Sequence, residues 1–334
     1  MGHLLQNLFF ITGLLIHGPE PLQGPVAARP DFDLADSYAR QGQLDLAEKH
    51  FLLALDNGDE RALLYLGYVY EKQGKYDVAE TYLLKAIRNG DERALGMLGY
   101  VYFKQEKHDV AETYFLKAIR NGDEKALGWL GYLYLKQGKD EFAENYFLQA
   151  ARNGDDSVLR YLGYLYAKQD KLDLSEHYYL QAVEKAPKDD ESLNHLGMLY
   201  VQQGKYGLAE KYFLSASEQG NEKALYYLGK VCYEQGKYAV AENYLLQAIA
   251  KGNAEALNDL GYVYLKQDKD DLAETYFLQA TEKGIDYALD SLGEVYEKLG
   301  KYDLAETYYA RAVEKEVPEA RDNLARLREK QKKQ

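Results

Sequence analysis

Cysteine is all but missing from this sequence. A single thiol, Cys232, stands in 334 residues, so no disulfide can close within the chain and no cysteine-based zinc cluster can be built. Tryptophan occurs once and methionine three times; four of the six prolines fall between residues 18 and 30, which leaves the rest of the chain nearly free of helix breakers. Positive charge is in deficit: 41 Lys and Arg face 54 Asp and Glu, a net charge of -13. That is the wrong sign for a protein that wraps nucleic acid over its whole surface. Long apolar runs are lacking too. Residues 3–17, HLLQNLFFITGLLIH, are too short and too interrupted to span a bilayer. No Lys or Arg precedes them as a signal peptide requires, although Val26-Ala27-Ala28 would suit a cleavage site, and Gln6 stands where myristoylation calls for Ser or Thr. Residues 1–30 thus form an apolar, then proline-rich segment with three readings: signal peptide, membrane anchor, or cover for whatever follows. A soluble cytoplasmic chain is favoured, with export or membrane contact through residues 3–17 as the alternative.

Tyrosine, by contrast, occurs 33 times, a tenth of the chain, and its placement follows a repeat. The glycine of a recurring Leu-Gly pair appears at Gly67, Gly99, Gly131, Gly163, Gly197, Gly229, Gly261 and Gly293, at steps of 32 residues with one step of 34. Ala35 and Ala325 hold the same slot before and after the series. Self-similarity at this period signals stacked supersecondary units. Within residues 62–93, small and apolar side chains at Ala62, Leu66, Gly67, Val69 and Tyr70 mark one helical face, and Tyr76, Ala79, Leu83, Ala86 and Ile87 mark a second. Gly74 separates the two, and Asn89-Gly90-Asp91 ends the unit. Each unit is therefore a helical hairpin.

Glycine occupies the first break in six of nine units, where it suits a left-handed helix stop, while Glu106, Asp170 and Asp268 occupy it in the others. Nine glutamates, Glu48 to Glu306, recur near the start of the second helix, and in seven units an acidic residue stands three before, as Asp77 does before Glu80. The spacing predicts capping boxes and not acid-base chemistry. Residues 319–334 keep Ala320, Leu324, Ala325 and Leu327 on one face and are polar elsewhere, which predicts a capping helix with a basic, solvated tail.

Leu66, Gly67, Tyr70, Gly74, Ala79 and Ala86, with their equivalents from about residue 31 to 318, resemble the tetratricopeptide repeat. One unit also has that family's closing proline, Pro187; the shorter Asn-Gly-Asp and Lys-Gly endings are similar to Sel1-like repeats. The resemblance implies an all-α, right-handed superhelical solenoid of antiparallel hairpins, nine repeats over residues 31–318 plus the C-terminal cap. It also implies a protein-interaction scaffold, whose concave groove is lined by the first helix of each hairpin.

On that helix, the stripe that the core does not use carries Tyr68, Tyr100, Tyr132 and Tyr164 just after the glycine and Lys72, Lys104, Lys136 and Lys168 four residues later. Arg61, Arg93 and Lys125 lie seven residues before the tyrosines. This aromatic and basic ladder, the candidate partner-binding site, favours an acidic, extended or helical protein segment. Single-stranded nucleic acid stacked on the tyrosines is the alternative, disfavoured by the net charge. A third reading is self-association through the groove. Beyond Pro187 the ladder becomes irregular, with Met198, Lys230, Tyr262 and Glu294 in the tyrosine slot. Most other tyrosines are structural: eight, Tyr38 to Tyr296, stand three after the glycine slot, and eight recur on the second helix. Cys232 fills the core-tyrosine slot of its unit and reads as a buried filler. No phosphate loop, metal-ligand spacing or triad occurs, so neither an enzymatic activity nor a cofactor is expected.

Overall fold

A computed structural model describes residues 30–332, all of them in helices and short connections with no strand. The readings placed on residues 1–29, the signal peptide and the anchor among them, lie outside the described residues. No described helix is long and apolar enough to cross a membrane.

The chain divides into two compact units, one ending at Tyr178 and the other beginning at Tyr179. The first holds α1 (Pro30–Arg40), α2 (Leu44–Asp56), α3 (Ala62–Lys72), α4 (Tyr76–Arg88), α5 (Ala94–Lys104), α6 (His108–Arg120), α7 (Lys125–Lys136), α8 (Asp140–Arg152), α9 (Leu159–Lys168) and the start of α10 (Leu172–Lys185). The second continues with α11 (Asp190–Gln202), α12 (Tyr206–Glu218), α13 (Glu222–Glu234), α14 (Tyr238–Ala250), α15 (Glu255–Lys266), α16 (Asp270–Glu282), α17 (Ala288–Lys298), α18 (Tyr302–Glu314) and α19 (Ala320–Lys332). In the first unit each helix from α1 to α9 packs on the next in sequence, so the hairpins stack and share one core, and in the second α11 to α19 pack on one another in the same order. The last helix, α19, packs on α18 and buries Ala320, Leu324 and Leu327.

The Leu-Gly glycine exists to let two helices meet. A Cβ on Gly131 would lie 2.7 Å from the Phe147 ring of α8, and one on Gly99 would lie 2.7 Å from the ring of Phe115. The small alanines of the second helix, such as Ala79 and Ala86, are buried on the same seam.

The first break is a Schellman stop. The Lys75 N–H donates to the Tyr70 carbonyl and the Gly74 N–H to the Glu71 carbonyl, with Gly74 at φ +73°. Where glycine is absent the geometry persists: Glu106, Asp170 and Asp268 sit at φ 62°, 59° and 57°. An L-residue there carries a cost of roughly 1–2 kcal/mol, and Asp tolerates it better than Glu. Glycine's greater freedom in the unfolded chain offsets part of this, so Glu106→Gly is expected to stabilise the protein by about 0.5–1 kcal/mol, read as a higher urea midpoint. An unchanged or lower midpoint would show that Glu106 carries a compensating contact.

The capping boxes are not formed, which corrects the expectation. Helix α4 begins at Tyr76, its N-cap Lys75 makes no side-chain cap, and the same holds for α2, α6, α8, α12, α14, α16 and α18. Glu80 therefore lies beyond the first turn and points to the next hairpin, where it accepts from the Tyr102 hydroxyl at 3.0 Å and from Gln105 Nε2 at 3.1 Å, with Lys107 Nζ at 3.3 Å. Glu48 does the same for Tyr70, Gln73 and Lys75. Burial raises the carboxyl pKa of both, yet the bonds from glutamine and tyrosine and the nearby ammonium outweigh it and hold them below the ordinary glutamate value. Capping passes to the turn instead. Asp59, Asp91, Asp123 and Asp155 accept from the N–H two residues on, at the entrance of the following first helix.

Candidate functional site

The eleven residues of the sequence-derived ladder all lie in the first unit, on α3, α5, α7, α9 and the turns before them. Tyr68, Tyr100 and Tyr164 are partly buried, with Lys72, Lys104 and Lys168 exposed beside them. The ammonium of Lys72 stands 5.4 Å from the centre of the Tyr68 ring, that of Lys104 6.0 Å from Tyr100, and that of Lys136 5.4 Å from Tyr132. These are i, i+4 cation–π pairs on one helical stripe.

Tyr132 departs from the expectation of a surface tyrosine. Only 2% exposed, it packs edge-on against Phe103 and Tyr161, with Trp129 beside it. Its ring is core, and burial pushes its hydroxyl pKa up. Burial also lowers the pKa of Lys136 above it. The tyrosine series is thus interrupted at its third member by an aromatic cluster, in which Trp129 also meets Tyr100 at 4.3 Å between ring centres.

The basic residues divide by their partners. Arg61 Nε donates to Asp59 at 2.8 Å and its guanidinium covers the Phe32 ring; Arg93 Nε donates to Asp91 at 2.8 Å. Both are held by the turn carboxylate two residues earlier. Lys125 is exposed, and its backbone N–H reaches Asp123. Lys168 pairs with Asp140 at 2.8 Å. Lys72 pairs with Glu71 at 3.3 Å. That glutamate is 6% exposed, and burial raises its pKa against the pull of Lys72 and Lys104. Glu71 is a site residue that sequence reasoning missed: its counterparts Phe103, Leu135 and Ala167 are apolar, and the break in that pattern was the available signal.

In the second unit the equivalent stripe is a hydrogen-bonded polar lattice. The Tyr262 hydroxyl meets Ser291 Oγ at 2.8 Å, Ser291 donates to Asn258 at 3.0 Å, and Asn323 reaches Asp290. Arg326 and Lys330 of α19 clamp Glu297, the guanidinium with two bonds of 2.9 Å. Burial raises the pKa of Asp259, which Lys230 and the Tyr226 hydroxyl lower in turn; burial likewise raises those of Asp290 and Glu294. A carboxyl whose folded pKa exceeds its unfolded value favours folding most at low pH and loses that contribution as pH rises through the folded value. Asp259→Asn is therefore expected to raise the melting temperature at pH 7, by an amount of order 1 kcal/mol in stability, and to do nothing at pH 3. Melting curves at the two pH values check it; a destabilised variant at pH 7 would refute it.

Among the described residues no group of three or more His, Cys, Asp or Glu could hold a metal ion. Cys232 is buried, and burial raises its thiol pKa, with Glu210 adding to the effect.

Comparison with known proteins bears on the fold. Among curated proteins none matches the chain. Of solved structures, the protective antigen c5321 of uropathogenic Escherichia coli, described as an SLR fold, superposes with a TM-score of 0.64 at 23% identity, over 88% of this chain and 70% of that one. A tetratricopeptide repeat protein of Parabacteroides merdae gives 0.53 at 17% identity, covering 71% of this chain and 98% of its own. PilF of Pseudomonas aeruginosa gives 0.54 at 18%, covering 63% and 99%. At these identities the likeness is one of fold. The family assignment rests on sequence: tetratricopeptide repeat models match residues 32–94, 97–158, 160–224 and 226–288, and a second such model matches 288–324. The chain belongs to the tetratricopeptide repeat family.

Proposed function

We propose that this protein is an interaction scaffold whose first unit receives an acidic segment of a partner protein along α3, α5, α7 and α9. Repeat membership supports a protein-interaction role in general; the observation that favours this surface is the row of ammonium groups of Lys72, Lys104 and Lys136, the first two standing over the partly buried rings of Tyr68 and Tyr100 and the third over the buried Tyr132. Tyrosine supplies rigid contact area and a hydroxyl, and lysines along the stripe attract carboxylates. Nucleic acid fits less well, since the burial of Tyr132 removes one platform from a stacking series.

Trp129, the one tryptophan of the chain, lies inside the aromatic cluster and serves as a reporter. Titration with matched acidic and basic peptides is expected to change its fluorescence with the acidic ones alone, more weakly at higher salt. In a Lys72→Glu/Lys104→Glu/Lys136→Glu variant the affinity is expected to fall at least tenfold, while circular dichroism is unchanged. Equal response to both peptide types, or an unaffected variant, would sink the reading. Tighter binding of an oligothymidylate than of any acidic peptide would transfer it to nucleic acid.

A further inference from the structure

The second helices carry an exposed apolar residue at one register throughout. From Leu46 to Leu304 it recurs in all nine hairpins, and none is buried by its neighbours. In α4, α6 and α8 it is Val78, Val110 and Phe142, which are 38%, 40% and 56% exposed. An isolated surface valine is ordinary; the same exposure in adjacent, stacked helices makes a stripe.

The charges around the stripe in these three helices are sorted. Asp77, Asp109 and Glu141 lie in the first turn, and Arg88, Arg120 and Arg152 close the last, about 16 Å away along each axis. Acid at the N-terminus and base at the C-terminus suit the helix dipole, which accounts for the sorting but not for the apolar residue beside the acid. The three arginines are exposed, and no described carboxylate pairs with them. Lys85 and Lys117, a turn earlier, lie over Tyr82 and Tyr114. In the second unit the pattern lapses over three successive hairpins, α12, α14 and α16 having no basic residue in their last turn, and returns in α18 with Asp303 and Arg311.

We infer that this face of α4, α6 and α8 is a homodimer interface, occupied by the same three helices of a second copy running antiparallel. The antiparallel arrangement sets each acidic first turn against an arginine of the other copy and lays the arginine and lysine stems over the exposed Val and Phe side chains. Only an array with this repeat spacing meets all three sites at once, and a second copy has it by construction. Both signs of charge are present, sorted to opposite ends of each helix, which suits self-pairing better than an anionic lipid surface. Three helices about 10 Å apart, each offering about 16 Å, give a face of roughly 500 Å² per copy, about 1,000 Å² in total, the size of a weak, transient interface, so association no tighter than micromolar is expected.

Sedimentation velocity of the full chain from 1 to about 200 µM tests this, that range bracketing the expected affinity. The wild type is expected to pass from monomer to dimer, less readily at high salt. An Arg88→Glu/Arg120→Glu/Arg152→Glu variant and an Asp77→Arg/Asp109→Arg/Glu141→Arg variant are each expected to stay monomeric with unchanged circular dichroism, and an equimolar mixture to dimerise again. A wild type that is monomeric throughout, a dimer indifferent to either reversal, or a mixture that fails to associate would each overturn the inference. So would flotation of the monomer with neutral phosphatidylcholine vesicles, which would give the stripe to lipid.

Discussion

Replacing Gly131 by valine is expected to cost about 3 kcal/mol, the sum of overpacking and the β-branched residue's poorer helix propensity. The position leaves no room: an ideal Cβ there meets Phe147 Cδ1 at 2.7 Å and Cε1 at 2.8 Å. Nor can the ring withdraw, since Phe147 is fully buried and stacked on Tyr161, with ring centres 5.5 Å apart and planes 13° apart. Gly131→Ala is expected to cost less, because alanine's helix propensity returns about 1 kcal/mol and because Ala35 is tolerated in the same slot of the first repeat. Gly207 in α12 is the control. Nothing lies within 4 Å of its absent Cβ, so Gly207→Ala is expected to stabilise by up to about 1 kcal/mol. In a stack coupled only through nearest neighbours the lesion is local, so hydrogen exchange is expected to quicken first in α7 and α8 while the second unit keeps its protection. Urea unfolding gives the magnitude, and equal effects at Gly131 and Gly207 would refute the close-approach argument.

The contrast between these two glycines shows what a period reveals and what it hides. Repetition at 32 residues exposes every position that the stack uses identically, so the hairpins, the Gly74 stop and the small seam residues were legible without coordinates. A helix start is not fixed by period. The acid-x-x-Glu spacing at Asp77 and Glu80 matches a capping box, yet the helix begins at Tyr76, which puts Glu80 two residues too deep to cap. Its partners come from the neighbouring hairpin, a contact between residues 22 to 27 positions apart that local spacing cannot signal. The ladder departs from expectation at Tyr132 for a related reason: its slot equals that of Tyr68, but Trp129 replaces Tyr65 and Phe103 replaces Ala39, and those bulkier apolar neighbours close over the ring. Burial at a repeated position depends on side chains one unit away, and so does charge. Arg61 and Arg93 share a ladder register, and each bonds the turn aspartate two residues earlier.

The inter-repeat ties carry the second large expected effect. Removing the hydroxyls of Tyr70, Tyr102, Tyr134 and Tyr166 together by change to phenylalanine is expected to destabilise the first unit by about 4 kcal/mol. Each hydroxyl donates to a glutamate of the preceding hairpin at 2.8 to 3.0 Å. A bond to a charged group contributes about 1.5–3 kcal/mol when buried, and discounting for partial solvation leaves about 1 kcal/mol per site. The sites recur one repeat apart and share no partner, so the losses are expected to add within a few tenths of a kcal/mol each. The protein contains its own precedent at Cys232, where no hydroxyl is available and Glu210 is met by Lys237 at 3.1 Å. Acid should narrow the difference. The folded pKa values of Glu48 and Glu80 lie below the unfolded value, so their contribution is present above the unfolded glutamate pKa and disappears as pH falls through the folded one. Wild type and the quadruple variant are thus expected to differ most in urea midpoint at pH 7, with a smaller gap at pH 2 to 3 as the Tyr70 and Tyr102 sites lose their share. A gap that persists unchanged into acid would mean that the hydroxyls act independently of the carboxylate charge, since the ring packing, as between Tyr70 and Tyr82, stacked 5.3 Å apart, is kept in the variant as phenylalanine on tyrosine.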